Sequence, residues 1–289
     1  TENSVKGKFS VSNPNFNDSD KQVRLSIEAL ETDLMSTSGY KSNKTGLSID
    51  TNFEYLDDLM LGIGQSSFYE SITTNSSASQ RQKSQEGNYW DTFISINADY
   101  DKRNQKFQTT DGFRSYYAVN LPIISDTKTL TNTYSYTYYD ELYDENVSSI
   151  SFYARAANSI TGKDIKLSER VFVPGSKLRG FEQGKVGPKD GNDFIGGNFI
   201  STLNFSSTLP QILPNSQNTD FLIFFDVANI WGVDYDSSLN SSNTIRSSIG
   251  VGIDWFSALG PLTFSLSQPL SKASTDQTET FRFNLGTTF

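Results

Sequence analysis

The chain contains neither cysteine nor histidine. Their absence excludes disulfide staples, zinc sites of the nitrogen–sulfur kind, and Cys-His or Ser-His-Asp catalysis. Positive charge is scarce as well: Lys and Arg number 24 against 33 Asp and Glu, a formal net charge of −9. So acidic a chain is poorly suited to gripping nucleic acid through its phosphates. No apolar run approaches the roughly 18–20 residues of a membrane-spanning helix. No secretory leader is legible, and a chain opening on Thr1 reads as a mature or excised segment. Hydrophobic residues make up only 35%, yet 21 Phe, 14 Tyr and 3 Trp are among them. Many aromatics amid Ser, Thr and Asn suit strands with one apolar face and one wet face.

Alternation with period two bears this out along the chain. Ile245, Ser247, Ile249, Val251, Ile253 and Trp255 share one face, with Arg246, Ser248, Gly250, Gly252 and Asp254 opposite. Val23, Leu25, Ile27 and Ala29 alternate with Arg24, Ser26 and Glu28, and Phe281, Phe283, Leu285 and Phe289 alternate with Arg282, Asn284 and Gly286. About thirteen such segments occur, near 6–13, 22–31, 44–54, 59–69, 89–101, 112–122, 129–139, 147–157, 195–208, 219–231, 244–256, 261–268 and 279–289. Most are close to the ~10 residues of a tilted transmembrane strand. Connections mostly alternate short and long, with 31–43, 70–88, 158–194 and 232–243 long and the link at 124–127 an exception. Phe68, Tyr69, Trp90, Tyr100, Trp231, Trp255 and Phe289 fall near strand ends, as in an interfacial aromatic girdle. The expected fold is all-β, an antiparallel transmembrane β-barrel forming a single domain over 1–289, with a long inserted loop at about 158–194. On patterning alone, a soluble β-sandwich or propeller is the alternative.

Inside that loop stands Val173-Pro174-Gly175-Ser176-Lys177-Leu178-Arg179-Gly180-Phe181. Further on come Gly187-Pro188-Lys189-Asp190, Ile195-Gly196-Gly197-Asn198, Phe224-Phe225-Asp226-Val227-Ala228-Asn229, Leu259-Gly260-Pro261-Leu262 and Phe281 to Phe289. In this order they resemble the barrel of the BamA-type outer-membrane assembly factors, a superfamily that also holds TamA and the two-partner secretion transporters. Leu178-Arg179-Gly180-Phe181 looks like the family's V/I-R-G-F/Y signature, and Ala228 stands where its strand motif usually has Gly. Ser12-Asn13-Pro14-Asn15-Phe16 and Thr110-Asp111-Gly112-Phe113-Arg114 are similar to its periplasmic turns, so the likeness covers nearly the whole chain.

The resemblance implies a bacterial outer-membrane protein that inserts β-barrel proteins through a lateral gate and catalyses no covalent reaction. The alternatives are a TamA-like or two-partner-secretion translocation channel and a passive porin. It implies a barrel of about sixteen strands, even-numbered as bacterial barrels normally are, of which this chain lacks the first strands and the POTRA domains. Alone, such a chain is expected to leave edges exposed and to fail at inserting clients. Expected partners are outer-membrane lipid and lipopolysaccharide, unfolded outer-membrane client proteins and accessory assembly lipoproteins, with no nucleic acid, no cofactor and no metal. Leu178, Arg179, Gly180 and Phe181 are expected to dock in the lumen on Asp226, with Asn204 where the family often has a second acid. A guanidinium offers a planar fork for a carboxylate, which favours the Arg179–Asp226 pair. The expected gate strand holds Phe281, Asn284, Gly286 and Phe289. Asp190-Gly191-Asn192-Asp193 and Asp234-Tyr235-Asp236 lack the spacing of a calcium loop and read as turns.

Overall fold

In a computed structural model, residues 3–106, 108–143, 146–209, 218–239, 244–257 and 260–285 are described. The first eight strands are β1 (Asn3–Asn13), β2 (Gln22–Leu34), β3 (Tyr40–Leu56), β4 (Leu59–Thr74), β5 (Gly87–Asp101), β6 (Gly112–Ile124), β7 (Thr129–Tyr143) and β8 (Asn146–Ser159). A small hairpin, β9 (Lys189–Asp190) and β10 (Asp193–Phe194), sits within the long connection that follows. The series then resumes with β11 (Phe199–Leu209), β12 (Thr219–Trp231), β13 (Arg246–Ser257), β14 (Gly260–Ser271) and β15 (Phe281–Leu285). Thirteen strands form one antiparallel meander in chain order, from β1 to β8 and on from β11 to β15.

The expected faces hold. Ile249 and Val251 point outward and exposed, whereas Arg246, Ser248 and Gly252 point inward and are buried. The outer surface carries a belt that includes Phe9, Ile27, Ile49, Ile63, Phe152, Phe205, Phe225, Leu266 and Phe283, all exposed. The side chain of Leu285 and all of Gly286 and Phe289 lie outside the described residues. Tyr69, Trp90 and Trp255 stand exposed on the outer face near strand ends. Phe68 departs from the girdle expectation: it shares the inward face with Glu70 and Ile72 and sits under the Lys44 ammonium, 5.6 Å from its ring centroid. Period two sets the face, and Phe68 is out of phase with Tyr69.

Several strands run longer than the sequence suggests, β3 for 17 residues and β4 for 16. Alternation against lipid ends where the belt ends. Beyond it, Tyr40, Ser42, Glu70 and Ile72 are buried by the long loop, so polar residues continue the ladder. The expected long connection at 31–43 thereby shrinks to 35–39. Three prolines lie inside strands: Pro261 is the second residue of β14, and the two further in stand at register shifts, Pro122 where β5 and β6 slip and Pro269 where β13 and β14 slip. Proline has no N–H for the ladder, and a bulge removes the need for one.

An odd-numbered meander leaves its two end strands running the same way, so closure of β1 on β15 would be parallel. Among the described residues β15 pairs only with β14 and β1 only with β2. The sheet still curls enough that Ser4 of β1 and Phe281, Arg282, Phe283 and Asn284 of β15 line one cleft of ≈ 520 Å³. Asn284 thus borders this cleft.

Candidate functional site: a loop docked in the lumen

Residues 160–198 fill one end of the lumen instead of standing outside it. Ile165, Val171, Val173, Leu178, Phe181 and Val186 from the loop pack on Ala157, Ile200, Ala228 and Ile230 from the inward faces of β8, β11 and β12. This is the apolar core of the molecule, and removing such surface from water holds the loop inward. Ala228 is part of it. A second cluster, Leu34, Tyr40, Ile72 and Leu167, closes the opposite wall. The loop's own hydrophobics follow no period, which is why alternation does not reveal them. The Asp190–Asp193 segment forms the β9–β10 hairpin turn, as its composition suggests.

The tip of the loop carries Arg179. Its Nε donates to Asp226 Oδ2 at 2.8 Å and its second terminal nitrogen to Oδ1 at 2.7 Å, a two-pronged contact. The Arg179 backbone N–H adds a third bond to Oδ2 at 3.0 Å, and Asn204 Nδ2 a fourth to Oδ1 at 2.8 Å. Asp226 is fully buried, so all four donors replace water around one carboxylate. Asn204, directly opposite Asp226 in the β11–β12 register, also donates to the Lys177 carbonyl at 2.8 Å. An amide is the apt neighbour here, because it gives a donor to Asp226 where a second acid would repel it. The guanidinium carbon lies 3.4 Å from the Phe224 ring centroid, a cation–π contact in a dry setting.

Gly180 follows with φ +88°, a left-handed conformation that β-carbons resist. A Cβ there would press on Ser248 and Ser267 at 3.3 Å. Ser248 Oγ donates to the Arg179 carbonyl. Leu178 and Phe181, the remaining motif residues, are both buried in the loop core. Structure therefore brings Leu178, Arg179, Gly180, Phe181, Asn204 and Asp226 into one docking site.

Further polar contacts fix the loop, and sequence reading does not single them out. Lys166, 1% exposed at its side chain, bonds to Asp91 and lies 3.1 Å from Glu70 and 3.6 Å from Glu169. Burial alone would push its ammonium down, and Glu169, Glu70 and Asp91 carry it above the usual lysine range instead. Arg170 pairs with Asp234, and Arg246 with Asp276, the latter pair without solvent exposure. Arg282, on β15, donates to the Gly175 and Phe181 carbonyls. One signal was available for Asp91, Arg246 and Arg282. Each is a charge on the polar face of a strand, beside the loop-bearing end.

The sequence profile of the Omp85 superfamily domain matches residues 1–289. The outer membrane protein assembly factor BamA of Neorickettsia risticii is 25% identical over 257 residues, covering 86% of this chain and 34% of that protein. The factor of the same name from Neisseria meningitidis serogroup B is 30% identical over 157 residues, 44% of this chain and 19% of its own. The chain thus spans about a third or less of the curated relatives it matches. Among solved structures, BamA from Haemophilus ducreyi lacking POTRA domains 1-3 superposes with a TM-score of 0.88 at 21% identity, over 98% of this chain and 62% of that one. CdiB from Escherichia coli gives a TM-score of 0.56 at 10% identity, over 97% and 52% of the respective chains. The fold is that of a transmembrane β-barrel.

Proposed function

From the premise that this chain belongs to the Omp85 superfamily and is a barrel of the bacterial outer membrane, we propose that it is the barrel part of a β-barrel assembly factor. In this reading it inserts client proteins into the membrane through a lateral gate at β15, and breaks or makes no covalent bond in doing so. The observation that carries the reading is the seam. β15 pairs on one side only among the described residues, borders a cleft, and presents Phe281, Asn284 and their neighbours along it. An unpaired strand edge offers a row of N–H and C=O groups to which an incoming strand adds. Gly286 and Phe289, expected in the same gate strand, lie outside the described residues.

The proposed partners are unfolded outer-membrane clients, accessory assembly lipoproteins on the turn side, and lipid with lipopolysaccharide around the apolar belt. The docked loop speaks against a standing pore, since its core occupies the lumen. Full-length protein in liposomes is expected to speed the folding of a client barrel well above empty liposomes, and to conduct ions only in brief openings. Steady open conductance without faster client folding would favour the porin or translocation channel instead.

A further inference from the structure

The long loop and the terminal hairpin share more than a wall. Residues 180–187 run beside 276–279: Glu182 N–H donates to the Gln277 carbonyl at 3.0 Å, Gln277 N–H to Lys185 at 3.0 Å, and Glu279 N–H to Gly180 at 3.1 Å. Phe181 and Thr278 form an antiparallel bridge within this ribbon. At one end of it, Asp276 accepts from the Gly187 N–H at 3.1 Å and from Arg246 Nε at 2.9 Å. At the other end stands Arg282, buried on the inward face of β15.

Its guanidinium reaches the Phe181 carbonyl at 2.5 Å and the Gly175 carbonyl. Those two carbonyls bracket the turn whose tip is Arg179, so one fork closes the turn at both ends. Gly175 permits the approach, for a Cβ at that position would stand 2.6 Å from the Arg282 nitrogen. Nε of Arg282 meanwhile bonds Glu279, and the neighbouring Thr280 carbonyl accepts from Ser267 of β14. The turn, the ribbon and β15 are therefore one continuous hydrogen-bonded body.

We propose that docking of the loop and seating of the terminal strand are a single event, with Arg282 as the positioning residue that ties Arg179 to the seam. Releasing Arg179 from Asp226 then loosens β15, and releasing Arg282 loosens the Arg179 turn. The inference rests on the reading of β15 as the strand that moves at the seam, and it assigns the loop as the element that restrains that strand.

Amide hydrogen exchange on full-length protein in lipid nanodiscs reads this coupling without any client present. The variants are Arg282→Gln, Asp226→Asn and the double substitution; no hydrogen bond joins the two side chains among the described residues. The markers are the Arg179 amide, held by Asp226, and the Asn284 amide in β15, which by the ladder's alternation faces β14 opposite Thr263. Each single variant is expected to speed exchange at both markers by roughly tenfold or more, and the double variant by about the product of the two singles at both, as for one cooperative unit. Effects confined to the mutated end, with the double variant no faster at either marker than the single that alters that end, would overturn the coupling. Should Arg282→Gln not fold, Arg282→Lys keeps the charge, gives up the fork, and carries the same pair of outcomes. Client insertion measured in parallel separates the two claims. Local-only exchange with insertion intact overturns the coupling and leaves the gate standing.

Discussion

Asp226→Ala is expected to destabilise the folded barrel by about 3–5 kcal/mol, the usual cost of leaving one partner of a buried ion pair alone. The structure makes the effect unequal between the two partners. Asp226 collects four donors: two from the Arg179 fork, the Arg179 backbone N–H, and Asn204 Nδ2. Removing the carboxylate strands all of them, whereas Arg179→Ala leaves the backbone amide and Asn204 still bonded to it. Arg179→Ala should therefore cost less than Asp226→Ala, even though it also forfeits the contact with Phe224. Combined in one chain, the two substitutions should fall short of the sum of their separate costs, because they share an interaction. Urea midpoints of the refolded barrel in lipid vesicles give all three values. Additive costs, or a larger loss for Arg179→Ala, would mean that the backbone contact and the fork do not act on the carboxylate together.

The second large effect concerns the lipid face. Val251 is 51% exposed in the middle of the outer belt, so Val251→Arg places a guanidinium against acyl chains at a cost of roughly 2–4 kcal/mol. The contrast needs a lumen position free of packing. Ser248 shares a strand with Val251 and faces inward, but it is fully buried beneath the Arg179–Gly180 turn, where an arginine would expel the loop. Ser149 is the sound choice, since it lines a cavity of ≈ 560 Å³ at the turn end of the lumen, shared with Arg103, Thr110, Asp220 and Asp254. Ser149→Arg should fold into vesicles nearly as well as the parent while Val251→Arg folds poorly. Equal losses would remove the assignment of inside and outside.

Much of this architecture is legible in the sequence because a membrane wall repeats one physical rule. Each strand must show lipid an apolar face and the lumen a polar one, so Ile249 and Val251 against Arg246 and Ser248 declare both faces at once. The count of thirteen strands follows from that rule alone. Strand ends are less legible, since above the belt the ladder runs on through Ser42 and Glu70, which bond each other while Lys166 of the loop lies against Glu70. The docking residues are legible only through resemblance. Arg179 and Asp226 stand 47 positions apart, and nothing local to either declares the other. The Lys166 cluster and the Arg282 fork escape both routes. They depend on where an aperiodic loop comes to rest, which period and motif do not encode.

The central claim is that clients enter by pairing with β15, and a chain without cysteine allows a direct test. Single cysteines at Phe281, Phe283 and Asn284 in the full-length protein, matched with cysteines along the terminal strand of a client arrested during insertion, would be oxidised and the cross-links mapped. Strand addition predicts disulfides in one antiparallel or parallel register, shifting by one residue on the client for each residue moved on β15. Clients that insert at the normal rate while cross-linking nowhere along β15 would contradict it.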